Sequence, residues 1–237
     1  MTLHPWASAI GASKASDLLV GDRAVCSVRQ GLGAAGYGAF VQGPRDSGDL
    51  NAADEVVRVN LGALLIPADS GVDVQVQADQ VAGTVSQVNL VIADAAVQVQ
   101  PYAAPRSGGL WSQIRQELVK SIEDSGGQVQ QVQGSFGDEL LAQVPSEQGR
   151  QSVRFAGVDG PRWFLRLVFL GKACQPGPAA TRLETVVRSL VVDRGDAAMP
   201  PRAPLPMTLP VEATTALESE PRTLTLPKRG PEITEIR

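Results

Sequence analysis

The sequence predicts an α+β fold: a largely antiparallel sheet with two packed helices, in the order strands, helix, strands, helix. Three observations carry that expectation. Apolar residues alternate with polar ones at period 2 in several short runs separated by turn residues. Two segments switch to the 3.6-residue period of an amphipathic helix. The links between the strand runs are short hairpin turns rather than the long crossovers that a parallel sheet needs.

The strand signals begin after the turn-forming cluster Gly43, Pro44, Arg45, Asp46, Ser47, Gly48 and Asp49. Val57, Val59 and Leu61 alternate with polar neighbours, and Leu64, Leu65 and Ile66 form an apolar run stopped by Pro67. Val72, Val74 and Val76 alternate with Asp73, Gln75 and Gln77, the pattern of a strand with one wet face. Val88, Leu90 and Ile92 then run to a turn at Ala93 and Asp94, and Val97 and Val99 return.

After Pro105 the period changes. Leu110, Trp111, Ile114, Leu118 and Ile122 fall on one stripe, with Ser107 as the expected N-cap and Gly126 and Gly127 closing the C-terminus. Val129 and Val132 are expected to pair with Leu140 to Val144 across Gly134 to Gly137. Gln151 to Gly157 is expected to pair with Trp163 to Leu170 across Asp159, Gly160 and Pro161. This last strand is apolar on both faces and should lie centrally, covered twice. A second helix over Pro178 to Leu190 starts with proline near its first position and presents Leu183, Val186, Val187 and Leu190 inward.

The domain plan is therefore residues 1 to 42 as a Gly/Ala-rich flexible leader, 43 to 198 as a single α+β domain, and 199 to 237 as a Pro-rich tail. That tail reads as extended and then disordered, because Pro, Thr and Glu cannot bury enough apolar surface to offset the entropy of ordering.

Composition excludes several function classes. The chain has 237 residues and a net charge of −4, so no global basic field draws it to nucleic acid or to an anionic membrane. No run approaches the roughly 18 to 20 apolar residues of a membrane-spanning helix. One histidine, His4, and two distant cysteines, Cys26 and Cys174, leave too little for common metal sites, disulfide frameworks or nucleophile–base pairs. No metal, no cofactor and no catalytic constellation is expected, and a reducing cytoplasm is the simplest compartment. Oligomeric state leaves no signal.

Several short motifs match known patterns in spacing but not in context. Gly31, Gly33 and Gly36 have the GxGxxG spacing of a dinucleotide loop, but no apolar helix follows. Asp124-Ser125-Gly126-Gly127 echoes a serine-protease sequence but sits where the first helix ends. Gly171-Lys172 lacks the earlier glycine of a phosphate loop, since Arg166 stands there. Arg194-Gly195-Asp196 reads as a turn.

What remains is arginine and tryptophan. Arg166 interrupts the apolar face of Phe164, Val168 and Leu170, and a buried guanidinium must find a carboxylate, carbonyls or a ligand. One reading is a structural ion pair with Asp159 or Glu184; the other is an anion or partner site shared with Arg106 and Arg162. Trp111 and Trp163 read as core, or as contact surface if exposed. The candidate binding residues are thus Arg106, Trp111, Asp159, Arg162 and Arg166.

Several segments carry a family resemblance. Gly43-Pro44 with Asp46 and Asp49, Arg58 to Gly62, Ala104-Pro105-Arg106-Ser107 leading to Leu110-Trp111, Gly157 to Arg166, and Arg194-Gly195-Asp196 leading to Met199-Pro200-Pro201-Arg202 resemble an actinobacterial family of unknown function. The resemblance runs from about Gly43 to Pro210 and brings no activity with it. Arg45 replaces the family's aromatic residue, and the Gly/Ala-rich leader departs from a charged one, as a shifted start or reading frame would produce. At fold level the arrangement is similar to the α/β/α sandwich of the PsbP-like superfamily, an analogy that implies no function. The sequence therefore favours a non-enzymatic binding or adaptor domain with a protein partner, the Pro-rich strip at Pro200 to Pro210 suiting docking on its own domain or on that partner. The alternative is a small-ligand domain or enzyme acting on an anionic substrate through the arginines.

Overall fold

The structure is a computed structural model and describes residues 25–28, 43–50, 54–78, 84–147 and 149–209. His4, the Gly31 to Gly36 motif and the tail from Pro210 onward lie outside the described residues. The strands are β1 (Val25–Val28), β2 (Arg45–Asp46), β3 (Arg58–Asn60), β4 (Leu64–Pro67), β5 (Asp73–Ala78), β6 (Thr84–Ile92) and β7 (Ala95–Ala103). Helix α1 (Leu110–Asp124) follows, then β8 (Gln128–Gly134), β9 (Gly137–Ser146), β10 (Gly149–Gly160) and β11 (Trp163–Gly171). Helix α2 (Pro178–Ser189), β12 (Val191–Val192) and β13 (Met207–Thr208) are the last elements among the described residues.

The balanced α+β proportion expected from the sequence is not what forms. Strand makes up 49% of the structure and helix 21%, so the fold is sheet-dominated with two helices added. One antiparallel sheet runs in the order β1-β5-β6-β7-β11-β10-β9-β8, with β13 added beside β6. A second sheet, β2-β12-β4-β3, is built from strands of two to four residues. The physical reason is the pairing of β7 with β11, which runs from Ala95 opposite Gly171 to Ala103 opposite Trp163. It fuses what read as separate hairpins on either side of α1 into one sheet. A contact across that sequence distance leaves no trace in local periodicity.

The two helices lie on opposite faces. On one face, Leu110, Trp111, Ile114, Leu118 and Ile122 of α1 pack with Leu140, Ala142, Val153, Phe155, Phe164 and Val168. On the other, Leu183, Val186 and Val187 of α2, with Leu64 and Ile66 of β4, pack with Val97, Val99, Trp163, Leu165, Leu167 and Phe169. Strand β11 therefore contributes alternate residues to both cores, which is why it is apolar on both sides. Each large side chain fully withdrawn from water contributes about 1.5 to 3 kcal/mol, enough for the two stripes to dock the helices.

The Pro-rich segment does not leave the domain at Met199. Arg202 N–H donates to the Ala103 carbonyl (2.8 Å), Ala103 N–H to the Ala203 carbonyl (2.8 Å) and Leu205 N–H to the Pro101 carbonyl (3.0 Å). Leu205 and Met207 are buried. The segment thus lies along β7 beyond the point where β6 diverges from it, occupying backbone groups that would otherwise be unpaired.

Candidate functional site

The segments that carry the family resemblance pack against one another. The Asp159 carboxylate at the end of β10 accepts the backbone N–H groups of Leu110 (3.1 Å) and Trp111 (3.3 Å), capping α1 from across the fold. The N-cap position itself is Gly109, in a left-handed conformation (φ 76°) with no side-chain cap, and Ser107 is exposed, so Ser107 is not the cap the sequence suggested. Charge suits this arrangement, since a carboxylate at a helix N-terminus meets the positive end of the dipole. The Trp111 ring stacks on Phe164 at 6.1 Å, and its Nε1 donates to the Asp138 carbonyl at 2.7 Å. A Cβ on Gly157 would lie 2.6 Å from both rings, and one on Gly160 2.1 Å from the Trp163 ring. These two positions need glycine for that close approach. Trp163 is buried, with its Nε1 donating to Asp46 Oδ2 at 2.7 Å.

Asp159 and Trp111 are therefore engaged in holding the fold. Arg162 is half-buried in the β10–β11 turn at φ 62°, where its carbonyl accepts the Ala104 N–H (2.9 Å). Arg106 is exposed in the loop before α1. The structure brings neither into the lining of the groove that holds Arg166.

Arg166 projects from β11 onto the α1 face and is 8% exposed. It pairs with neither Asp159 nor Glu184. Its neighbour in register on β7 is Gln100, whose Oε1 accepts from the guanidinium at 2.9 Å and from the Tyr102 hydroxyl at 2.7 Å. The guanidinium also lies over the Tyr102 ring, 5.7 Å from its centroid. Its buried Nε has no hydrogen-bond partner, and no carboxylate among the described residues lies within ion-pairing distance. Burial pushes the Tyr102 phenol above its ordinary pKa, opposed by the charge of Arg166, so the hydroxyl stays protonated at neutral pH.

A small groove, partly open to solvent, sits at this point. Tyr102, Leu110, Ile114 and Phe164 wall it, Arg166 forms its base and Arg202 its rim. Arg202 comes from the Pro-rich segment and reaches Glu117 of α1 at 2.9 and 3.0 Å and Gln113 at 3.3 Å. Its own backbone is left-handed (φ 68°) at the third residue of the turn from Pro200 to Ala203, a place where glycine is the usual choice. Placing an arginine there strains the backbone, and its side chain joins the lining of the groove. The sequence marked Arg166 by a lone charge in an apolar strand, whereas Arg202 stood only within a motif of the family resemblance and not among the candidate binding residues.

The opposite face holds a second charged cluster that the sequence reading missed. Arg154 of β10 is bound by Glu139 (2.6 Å) and by Glu184 of α2 (2.6 Å), and lies 4.4 Å from the Phe169 ring centroid. Ser135 Oγ donates to Glu184 and the Phe136 N–H donates to Glu139, so the second carboxylate oxygens are also occupied. The two glutamates raise the Arg154 pKa against the desolvation that opposes them. Beside it the Cys174 thiol donates to the carbonyls of Ser152 and Phe169, and burial pushes its pKa up to about 11. This cluster is closed and internally satisfied. Among the described residues no group of histidine, cysteine and carboxylates is placed to hold a metal, and no helix is long and apolar enough to cross a membrane.

No curated protein and no solved structure matches the chain. A family model does match, over residues 43–216, a span that takes in the capped helix, the groove and the Pro-rich segment. The chain belongs to the family DUF3710, proteins of unknown function.

Proposed function

We propose that this chain is a non-enzymatic binding domain, with residues 43 to 198 as its body, and that its site is the groove between α1, β7, β11 and the Pro-rich segment, where an anionic group of the ligand pairs with Arg166. One observation carries the reading: a guanidinium more than nine-tenths buried, walled by apolar side chains, whose only hydrogen-bonded partner among the described residues is the Gln100 amide oxygen. Arginine cannot shed its charge, so a buried arginine without a counter-ion is costly, and a bound anion offsets that cost directly.

The lining favours binding over catalysis. It offers a guanidinium on the base, another on the rim, a protonated phenol and apolar walls. None of these groups accepts a proton at neutral pH, as a general base must. In the adaptor form of the reading, an acidic side chain of a partner protein enters the same groove. The Pro-rich segment supports a site on the domain itself, because its backbone is committed to β7 and β6.

The test is a thermal-shift and calorimetric screen of the full chain against a panel of anions: inorganic phosphate, acetate, succinate, a nucleoside monophosphate and an acidic peptide. A ligand present at 100 times its Kd adds about 2.7 kcal/mol and raises Tm by roughly 5 to 10 °C in a chain of this size. A rise in the wild type that Arg166→Gln abolishes supports the proposal. A flat screen, or shifts that Arg166→Gln leaves intact, rejects it.

A further inference from the structure

We infer that the ligand of this groove is a small monocarboxylate with an apolar body, rather than a phosphate or a dianion; the inference rests on the groove being the binding site. Three features of the groove point to that class. First, α1 begins at the groove, with Leu110 in its wall, but the N–H groups of Leu110 and Trp111 already bind Asp159. The amide cradle that a phosphate would use is taken by a carboxylate of the protein itself. Second, the charge around the site matches one negative charge. Arg166 supplies one unpaired cation, while Arg202 is paired with Glu117, and Asp159 and Glu117 stand on elements flanking the groove. A second negative charge would meet these carboxylates and find no free cation.

Third, the walls are Leu110, Ile114, Phe164 and the Tyr102 ring, apolar but for the phenol hydroxyl. A planar carboxylate fits the donor fork of a guanidinium, and a short hydrocarbon body fits these walls.

The experiment is calorimetric titration of the full-length chain with straight-chain monocarboxylates from acetate to octanoate, alongside inorganic phosphate, butyl phosphate, succinate and a peptide ending in an apolar residue. Affinity is expected to rise about fourfold with each added methylene until the walls are covered, and then to level off. Succinate and the phosphates are expected to bind at least tenfold more weakly than the monocarboxylate of similar length. Arg166→Gln should lose at least tenfold for every carboxylate. Ile114→Phe, which fills the wall without touching the charge, should move the plateau to shorter chains, a change that a merely structural Arg166 would not produce. If Arg166→Gln does not fold, the Ile114→Phe series still decides the matter.

Tighter binding of a phosphate, of succinate or of the peptide, with the same dependence on Arg166, would overturn the monocarboxylate class and leave the groove standing as the site. Affinity independent of chain length would overturn it too. Absence of Arg166-dependent binding by any of these anions would remove the groove reading along with it.

Discussion

Replacing Asp159 with alanine removes an acceptor that holds two backbone N–H groups at the start of α1, and it does so without touching the hydrophobic stripe of the helix. Loss of a capping side chain costs about 0.5 to 2 kcal/mol. Loss of a negative charge at the positive end of the helix dipole adds about 0.3 to 1 kcal/mol. The two contributions together put Asp159→Ala at about 2 kcal/mol. That corresponds to a Tm lowered by roughly 4 to 8 °C. Asp159→Asn keeps an acceptor oxygen and drops the charge, so it should cost about half as much. Ser107→Ala should stay within about 0.5 kcal/mol, because Ser107 is exposed and Gly109 holds the N-cap position. Urea denaturation followed by tryptophan fluorescence reads all three. A cost below about 0.5 kcal/mol for Asp159→Ala, or a Ser107→Ala cost matching it, would refute the claim that α1 is capped from β10.

Two further outcomes follow from the opposite face. Arg154→Met leaves Glu139 and Glu184 buried without their shared cation and should cost about 3 to 5 kcal/mol, measured by the same denaturation. Replacing all three residues by apolar ones of similar size should recover most of that loss; if it does not, the cluster stabilises by more than mutual neutralisation. Cys174 predicts a pH dependence. Its thiol ionises near 11 in the fold and near 9 in the unfolded chain, so the folded state holds the proton longer. Stability from this group is complete below pH 9 and falls by up to about 2 to 3 kcal/mol as pH rises from 9 to 11. Cys174→Ala should flatten the decline over that window. An unchanged slope would show that other groups govern it.

Much of the chain's local structure was legible in its periodicity. The valine alternation of β5, the stripe of α1 and the double-sided apolar run of β11 each follow from side-chain spacing, because burial of one face imposes period 2 or 3.6 on the residues that build it. The proportion of sheet was not legible. It depends on β7 meeting β11, and each of those strands has the same local signature whether it pairs with a hairpin neighbour or with a strand on the far side of a helix. The cap on α1 escaped for the same reason, since Asp159 is separated from Leu110 by 49 residues. Ser107 was the nearer and locally plausible substitute.

The two buried arginines show where local reading ends and register begins. Arg154 stands between Val153 and Phe155, and Arg166 between Leu165 and Leu167, so each is a cation flanked on both sides by apolar residues. Alternation aims them at opposite faces of the sheet. Arg154 faces α2, where the neighbouring strand and the helix each bring a glutamate, and its charge is fully met. Arg166 faces α1, where register sets Gln100 beside it, and a neutral amide cannot neutralise a guanidinium. The same sequence signal thus marks a closed structural ion cluster in one place and an open binding position in the other. What separates them is which residue the partner strand delivers to that face, and a glutamate at position 100 would close the second site as the first is closed. Gln100→Glu should accordingly stabilise the fold and abolish Arg166-dependent anion binding, whereas binding that survived the new carboxylate would place the anion elsewhere.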